Sequence, residues 1–399
     1  TFKVTEYEGN FIVNSTGGKF DTLDEAIDHA AAEDIIYVME GTYTGADNIG
    51  LIISNKKLTI TPLGDVVFDA NSTDLSFLTI DENSDVTISD AVFTGFSSIF
   101  KEAIFLNSGN LTIDGCAFVN NDISDNPFLG VKGTLISSEG NLNIIGSEFY
   151  DNKIHNTYLI NSKSDIIINE STFENNTIYN YGSIILLNHV NSAKVISAEF
   201  VENTLESGEV INVLWSRDVL INAEFYNNTQ GTAIWAFANS NLNIENSTFI
   251  GNNLHKGNSF YNIIKSIDNN QSIISGCTFT DYTVSNVVYS WDKNLSVLES
   301  TFSANKLSDN GALNIGSQVN AIVNGSVFTD NMADKYRNIY SDSTDLNISN
   351  SVFDAINVDY TVYDIDYKQV ETIEGSIDIG TNLKFPVNLD INGKTYSVN

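Results

Sequence analysis

The chain has 399 residues, 42% of them hydrophobic, and its 19 basic and 51 acidic side chains give 19 − 51 = −32 at neutral pH. So strong a negative field argues against nucleic acid and anionic membrane surfaces as partners, and no apolar run approaches the ~20 residues of a membrane span. Three Pro and 26 Gly leave no long linker and no low-complexity tract.

Residues 1–33 read as an entry element. Asn10–Val13 is a short strand and Gly17-Gly18 a turn. A helix is predicted from Leu23 to about Ala32. Thr22 and Glu25 form its capping box, and Leu23, Ala26, Ile27 and Ala30 an apolar stripe at i, i+3, i+4, i+7. Thr1 is not an initiator Met, which points to a processed or excised chain from which a signal peptide or membrane anchor has been left out.

Residues 34–357 are a repeat. Asp34–Val38 starts the first coil, Gly41-Thr42-Tyr43 turns out of it, and Leu58–Thr61 with Val66–Phe68 continues a less regular one. Phe then recurs at 93, 118, 149, 173, 200, 225, 249, 279, 302, 328 and 353, at intervals of 23 to 31 residues, with Phe68 a degenerate first copy. Such a period marks a solenoid. Five residues before each Phe stands an aliphatic residue: Ile88, Ile113, Ile144, Ile168, Val195, Leu220, Ile244, Ile274, Val297, Val323, Ile348. Two residues earlier most copies are aliphatic again, and this period of two is a strand with one buried face. A small residue lies two before each Phe, as at Ala91, Cys116, Ser147 and Ser326, where a tight interior requires it. Three after the Phe most copies carry Asn, including Asn121, Asn152, Asn176, Asn203 and Asn305. Asn suits left-handed bends and can hydrogen-bond from coil to coil.

A third apolar segment follows each Asn after a variable stretch, as at Tyr158–Asn161, Thr232–Phe237 and Asn286–Tyr289. Three short strands and three turns in about 25 residues make one coil of an all-β parallel β-helix. Helical repeats are excluded by the period and by the excess of Thr, Ser, Asn and β-branched residues. Crossover statistics make the helix right-handed, and roughly 13 coils about 4.8 Å apart would give a rod on the order of 60 Å long. The predicted α-helix then caps the open N-terminal end of the core.

Residues 358–399 alternate at period two and contain the hairpin signal Asn392-Gly393, as a C-terminal β cap or the start of a following β-domain. Cys116 and Cys277 lie six coils apart, roughly 29 Å, too far for a disulfide. They read as buried free thiols rather than a redox or metal pair. Asn-x-Ser/Thr sequons recur, many by chance in so Asn-, Ser- and Thr-rich a chain, and suggest glycosylation and export.

Candidate binding residues fall into two groups. Two coils carry insertions, Asp122–Lys132 and Asn253–Ser259, and longer loops on a regular rod are where recognition resides. The first holds Phe128 and Leu129 behind Pro127, and the second holds His255 and Lys256, rare positive charge on this chain. In the second group, Trp215, Trp235, Phe237, Tyr289 and Trp291 lie in or just after the third strand of their coils. Stacked along one face, they would bind sugar rings or a protein partner. Trp235 shares a face with Phe237 by parity, as Tyr289 does with Trp291, and one of these pairs is expected to point inward. The four His (His29, His155, His189, His255) are scattered and no metal ligands converge, so no catalytic residue and no cofactor is assigned. Paired carboxylates (Asp81 and Asp85, Asp122 and Asp125, Asp342 and Asp345, Asp364 and Asp366) read as solvated turns, with Ca2+ the one ion such oxygen ligands would suit.

The stretch Asp21-Thr-Leu-Asp-Glu-Ala-Ile27, followed by Asp34-Ile-Ile-Tyr-Val-Met-Glu-Gly-Thr-Tyr43, resembles the capping helix and first coil of pectate-lyase-like parallel β-helices. The recurrent Phe-x-x-Asn, with Gly182-Ser-Ile-Ile185 and Gly231-Thr-Ala-Ile234, is similar to the repeats of polymorphic outer-membrane adhesins. The Asn-, Asp- and Ile-rich, Arg-poor style most resembles the adhesin-like surface proteins of methanogenic archaea. The resemblance implies a non-enzymatic, monomeric adhesin on the cell surface or cell wall, attached to a surface protein or glycan of a partner cell. The alternative is a polysaccharide lyase or glycoside hydrolase on the same scaffold. Calcium-dependent pectate lyases need an Arg base beside an Asp cluster, and neither Arg217 nor Arg337 sits among several Asp. The paired Asp, His-Gly and Arg-x-Lys elements of pectin hydrolases do not occur here.

Overall fold

A computed structural model describes residues 11–14, 19–72, 76–98, 103–126, 131–251, 262–308, 311–333, 338–343, 345–353, 387–391 and 394–398. The chain divides into two compact units, Thr1–Leu186 and Leu187–Asn399. Each is a stack of parallel β coils, so the all-β parallel β-helix expected from the repeat is the fold.

In the first unit the helix runs Leu23–His29 and buries Leu23, Ala26 and Ile27 against the strands Phe11–Val13 and Ile35–Tyr43. Thr22 Oγ1 accepts from Glu25 N–H at 3.3 Å, the expected cap. The helix stops short of the predicted Ala32 because Ala30 takes extended backbone at φ −67° and ψ 134°. Lys56 Nζ donates to the freed Ile27 carbonyl at 2.5 Å and meets the helix's negative end.

Behind it the coils repeat in register. Val86, Leu111 and Leu142 form one buried row, and Ile88, Ile113, Ile144 and Ile168 the next. Phe68, Phe93, Phe118, Phe149 and Phe173 stack beside them, with centroids 5.5, 5.0, 4.7 and 4.7 Å apart. Asn121, Asn152 and Asn176 form a buried ladder at the next corner. Asn121 Nδ2 donates to Asn152 Oδ1 and Asn152 Nδ2 to Asn176 Oδ1, both at 2.9 Å. Each amide also reaches the Phe carbonyl of the preceding coil.

The left-handed residue at this corner is not the ladder Asn but the one before it, as at Asn120 (φ 55°), Asp151 (φ 56°) and Asn175 (φ 51°). The small position is also more than small. Ser147 Oγ accepts Cys116 N–H at 3.1 Å and donates to Ile145 O at 2.9 Å, so the hydroxyl pins one coil to the next. The stretch after the Asn, read from sequence as a variable connection, holds a further short strand. Asp122–Asn126, Lys153–His155 and Thr177–Tyr179 pair in parallel and bury Ile123, Ile154 and Ile178.

The second unit repeats the plan. Phe200, Phe225, Phe249, Phe279, Phe302 and Phe328 stack at 4.5 to 4.9 Å. Within this unit Asn203 with Asn228, and Asn305 with Asn331, make the same kind of amide ladder at 2.9 and 3.0 Å. One assignment is corrected. Val195 pairs with Ile221, not Leu220, because the preceding coil spends an extra residue on a bulge at Ser197 (φ 51°). Ile221 is therefore buried and Leu220 faces outward. Near the C-terminus, Val387–Ile391 pairs in parallel with Asp345–Phe353 and antiparallel with Lys394–Val398, while residues 358–386 lie outside the described residues. Cys116 and Cys277 are free and buried, as expected. Burial pushes their thiols up to about 12 and about 11, which leaves them protonated at neutral pH.

Candidate functional site

The third strands of the second unit form one sheet whose outward side is aromatic. Asn212, Trp235, Lys265, Tyr289 and Asn314 stand in register on successive strands. Beside them run Leu214, Phe237, Ile267 and Trp291. Alternation fixes this, since Ile234, Ala236, Ile264, Ser266, Val288 and Ser290 occupy the intervening positions and are buried. The expectation that one aromatic pair points inward is therefore wrong. Trp235 with Phe237 and Tyr289 with Trp291 both face out, because the inward positions of these strands belong to small and β-branched residues. The corresponding strands of the first unit carry Leu106, Ser137 and Asn161 in the equivalent row, so the aromatic character is local.

Trp291 is 48% exposed and lies flat. Its indole covers Gly316, where an added Cβ would stand 2.7 Å from the ring. Tyr289 lies nearly parallel to it at 6.4 Å and 20°. Trp215 extends the face at the turn after Glu209–Leu214. It is 47% exposed with φ 48°, and His189 stacks on it at 5.0 Å. Lys265 Nζ sits 5.3 Å from the Trp235 ring centroid. Trp235 Nε1 and the neighbouring Asn212 Oδ1 are buried with no hydrogen-bond partner.

A polar network fixes the platform from below. The buried Asp292 carboxylate accepts from Ser266 Oγ at 2.5 Å, Ser272 Oγ at 2.6 Å and Asn269 N–H at 3.0 Å. Asn269 Nδ2 in turn donates to Ser266 Oγ at 2.8 Å and to the Ala236 carbonyl at 3.0 Å. These bonds hold the ends of the strands that display Phe237, Ile267 and Trp291. Sequence reasoning missed Lys265, Ile267, His189 and this network. Their signal lay in register with residues that were noticed, and register is not visible until the coils are aligned.

The other candidates, Phe128, Leu129, His255 and Lys256, lie outside the described residues. Next to the first insertion, however, His155 Nε2 lies 3.0 Å from Asp122 Oδ1, and its ring stacks on Tyr179 at 4.5 Å. Asp122 had been paired in sequence with Asp125. Its observed partner is the imidazole one coil on, which the scattered spacing of the His concealed. Among the described residues no group of three or more His, Cys, Asp or Glu stands together to hold a metal ion, and no helix is long and apolar enough to cross a membrane.

No family model and no curated protein matches the chain. Solved structures do. The pectin methylesterase of Aspergillus niger is 15% identical, over 67% of this chain and 86% of that one, at a TM-score of 0.30. A mannuronic acid specific polysaccharide family 6 lyase from human gut microbiota is 12% identical, over 84% of each chain, at 0.38. A rhamnogalacturonan lyase is 10% identical, over 83% and 84%, at 0.35. These are an esterase and two lyases, the class of the alternative function, and none speaks for an adhesin or an archaeal source. At these identities and TM-scores the likeness carries no argument about what this chain does.

Proposed function

We propose that this is an extracellular glycan-binding β-helix that attaches its bearer to a polysaccharide or to the glycans of a partner cell. The observation that supports the reading is the outward face of Trp235, Phe237, Tyr289 and Trp291, extended by Trp215. Aromatic rings on the outward side of a sheet, open at Trp291 and Trp215 and half-buried at Trp235, Phe237 and Tyr289, offer π-faces to the C–H faces of sugars and are the amphipathic side chains that recognition sites favour. The Asp292 network keeps the platform in place without the ligand, so little ordering cost remains at binding. The reading requires no cofactor, and chelation of divalent ions is expected to leave both binding and melting unchanged. A glycan array read with the labelled protein tests it: specific signals are expected for wild type and their loss for Trp291→Ala with Tyr289→Ala. An array without signal, or one indifferent to those substitutions, contradicts it.

A second reading, cleavage of a polysaccharide, is favoured by the Asp122–His155 pair. A carboxylate 3.0 Å from a half-exposed imidazole orients it as an acid–base group. Incubation with polygalacturonate and host glycans separates the two readings. Release of unsaturated or reducing ends, lost in His155→Ala and Asp122→Asn, would make the protein an enzyme, whereas intact polymer after binding supports attachment alone.

A further inference from the structure

We propose that the aromatic face selects glycans bearing a negatively charged group, and that Lys265 makes the selection; this rests on the glycan-binding reading above. The chain carries −32, and Lys265 is set apart by its place on the aromatic face, with its ammonium over the Trp235 ring. Lys163 pairs with Glu139 at 2.7 Å and Lys57 with Asp85 at 3.8 Å. Lys265 has no carboxylate partner among the described residues. It stands in register between Trp235 and Tyr289, one strand from each, with its ammonium over the Trp235 indole. Its outward neighbours across three strands are Trp235, Tyr289, Phe237, Ile267 and Trp291, with no acid among them.

The energetics of covering this side chain decide the ligand class. A sugar stacked on Trp235 and Tyr289 spans two strand spacings, roughly 9.6 Å, and must cover Lys265 between them. A neutral sugar strips water from the ammonium and returns only neutral hydrogen bonds, which is a net desolvation cost. A carboxylate or sulfate on the central residue returns a charge-assisted hydrogen bond instead. The rest of the chain repels anions at long range, so selection comes from this short contact and not from the overall field. The face therefore discriminates by what it leaves unpaired with the wrong ligand.

The test is calorimetric titration of the full chain with three galactose hexamers: unsubstituted, carboxylated at C6, and sulfated. Both charged hexamers are expected to bind at least about fivefold tighter than the neutral one, and whichever binds tighter identifies the anion. Lys265→Gln, with unchanged melting, is expected to erase the preference by weakening both charged hexamers and raising the affinity for the neutral one; Trp291→Ala is expected to weaken all three. Wild type that binds the three equally, or Lys265→Gln that retains the preference, overturns the selection while glycan binding stands. If no hexamer binds, the glycan reading itself fails and the selection with it. A hexamer of glutamate that binds as tightly as the charged sugars would show that charge alone suffices, and would overturn the assignment to a glycan.

Discussion

At the scale of single residues the repeat is a set of separate jobs. Phe249 is fully buried between Phe225 and Phe279, at 4.5 and 4.7 Å. Phe249→Ala is expected to cost about 3–5 kcal/mol, measured by denaturant unfolding, and an unchanged midpoint would contradict the register. Asn152 does more than fill a corner. Its Oδ1 accepts Asn121 N–H and Nδ2–H, and its Nδ2 donates to Asn176 Oδ1 and the Phe118 carbonyl. Asn152→Ala leaves several buried groups without partners and should cost at least about 3 kcal/mol. Asn152→Asp should be no better, since a carboxylate cannot donate. Asp81 gives a pH signature. The Ser54 hydroxyl first, then the Ser84 hydroxyl, hold its carboxyl down to about 2 from 3.8. A depressed carboxyl stabilises the fold above its unfolded value and loses that contribution as pH falls through the folded one. Acid melting between pH 3.8 and about 2 is therefore expected to be shallower in Asp81→Asn than in wild type. Of these roles, burial of the Phe was legible from period alone. The coil-to-coil Ser and Asn hydroxyl and amide bonds run between residues 23 to 34 apart, and only their recurrence hinted at them.

At the scale of elements, the strands were legible wherever the apolar period was two, and the capping helix from Thr22, Glu25 and its stripe. The short strand after each Asn was not, although Ile123, Ile154, Ile178, Leu205 and Leu307 each stand two residues past the ladder Asn; one inward residue among polar ones is too short a pattern to declare a strand. The inward or outward sense of the aromatic pairs was equally hidden, because a run such as Thr232–Phe237 is apolar on both faces and period two cannot choose between them. Two elements carry predictions. Deleting Leu23–Ala32 uncovers the strands Phe11–Val13 and Ile35–Tyr43 and is expected to drive aggregation; a soluble, monomeric deletion variant in size-exclusion chromatography would refute the capping role. Beside the proposed face, just after the strand Leu313–Ile315, Gly316→Ala puts a methyl where the Trp291 indole lies. It should lift the ring, leave melting nearly unchanged and weaken glycan binding, read together by thermal scan and titration.

At the scale of the whole molecule, the fold follows from the repeat, and the proposed binding face lies where the repeat is broken. Similar Ser-, Thr- and Asn-rich faces give a ligand no reason to prefer one coil, whereas the second unit concentrates aromatic rings and Lys265 on a few adjacent strands. The two insertions that stood out in sequence remain the other breaks, and shortening both to regular coil length is expected to leave melting nearly unchanged. The location of binding has an internal reporter, since all three tryptophans of the chain, Trp215, Trp235 and Trp291, lie on the proposed face. Acrylamide quenching of tryptophan emission, with and without a saturating polysaccharide from the array, tests the central claim most directly. The account predicts a blue-shifted emission and marked protection from quencher in the complex, both lost in Trp291→Ala with Tyr289→Ala. A glycan that demonstrably binds while emission and quenching stay as in the free protein would place the site elsewhere and contradict it.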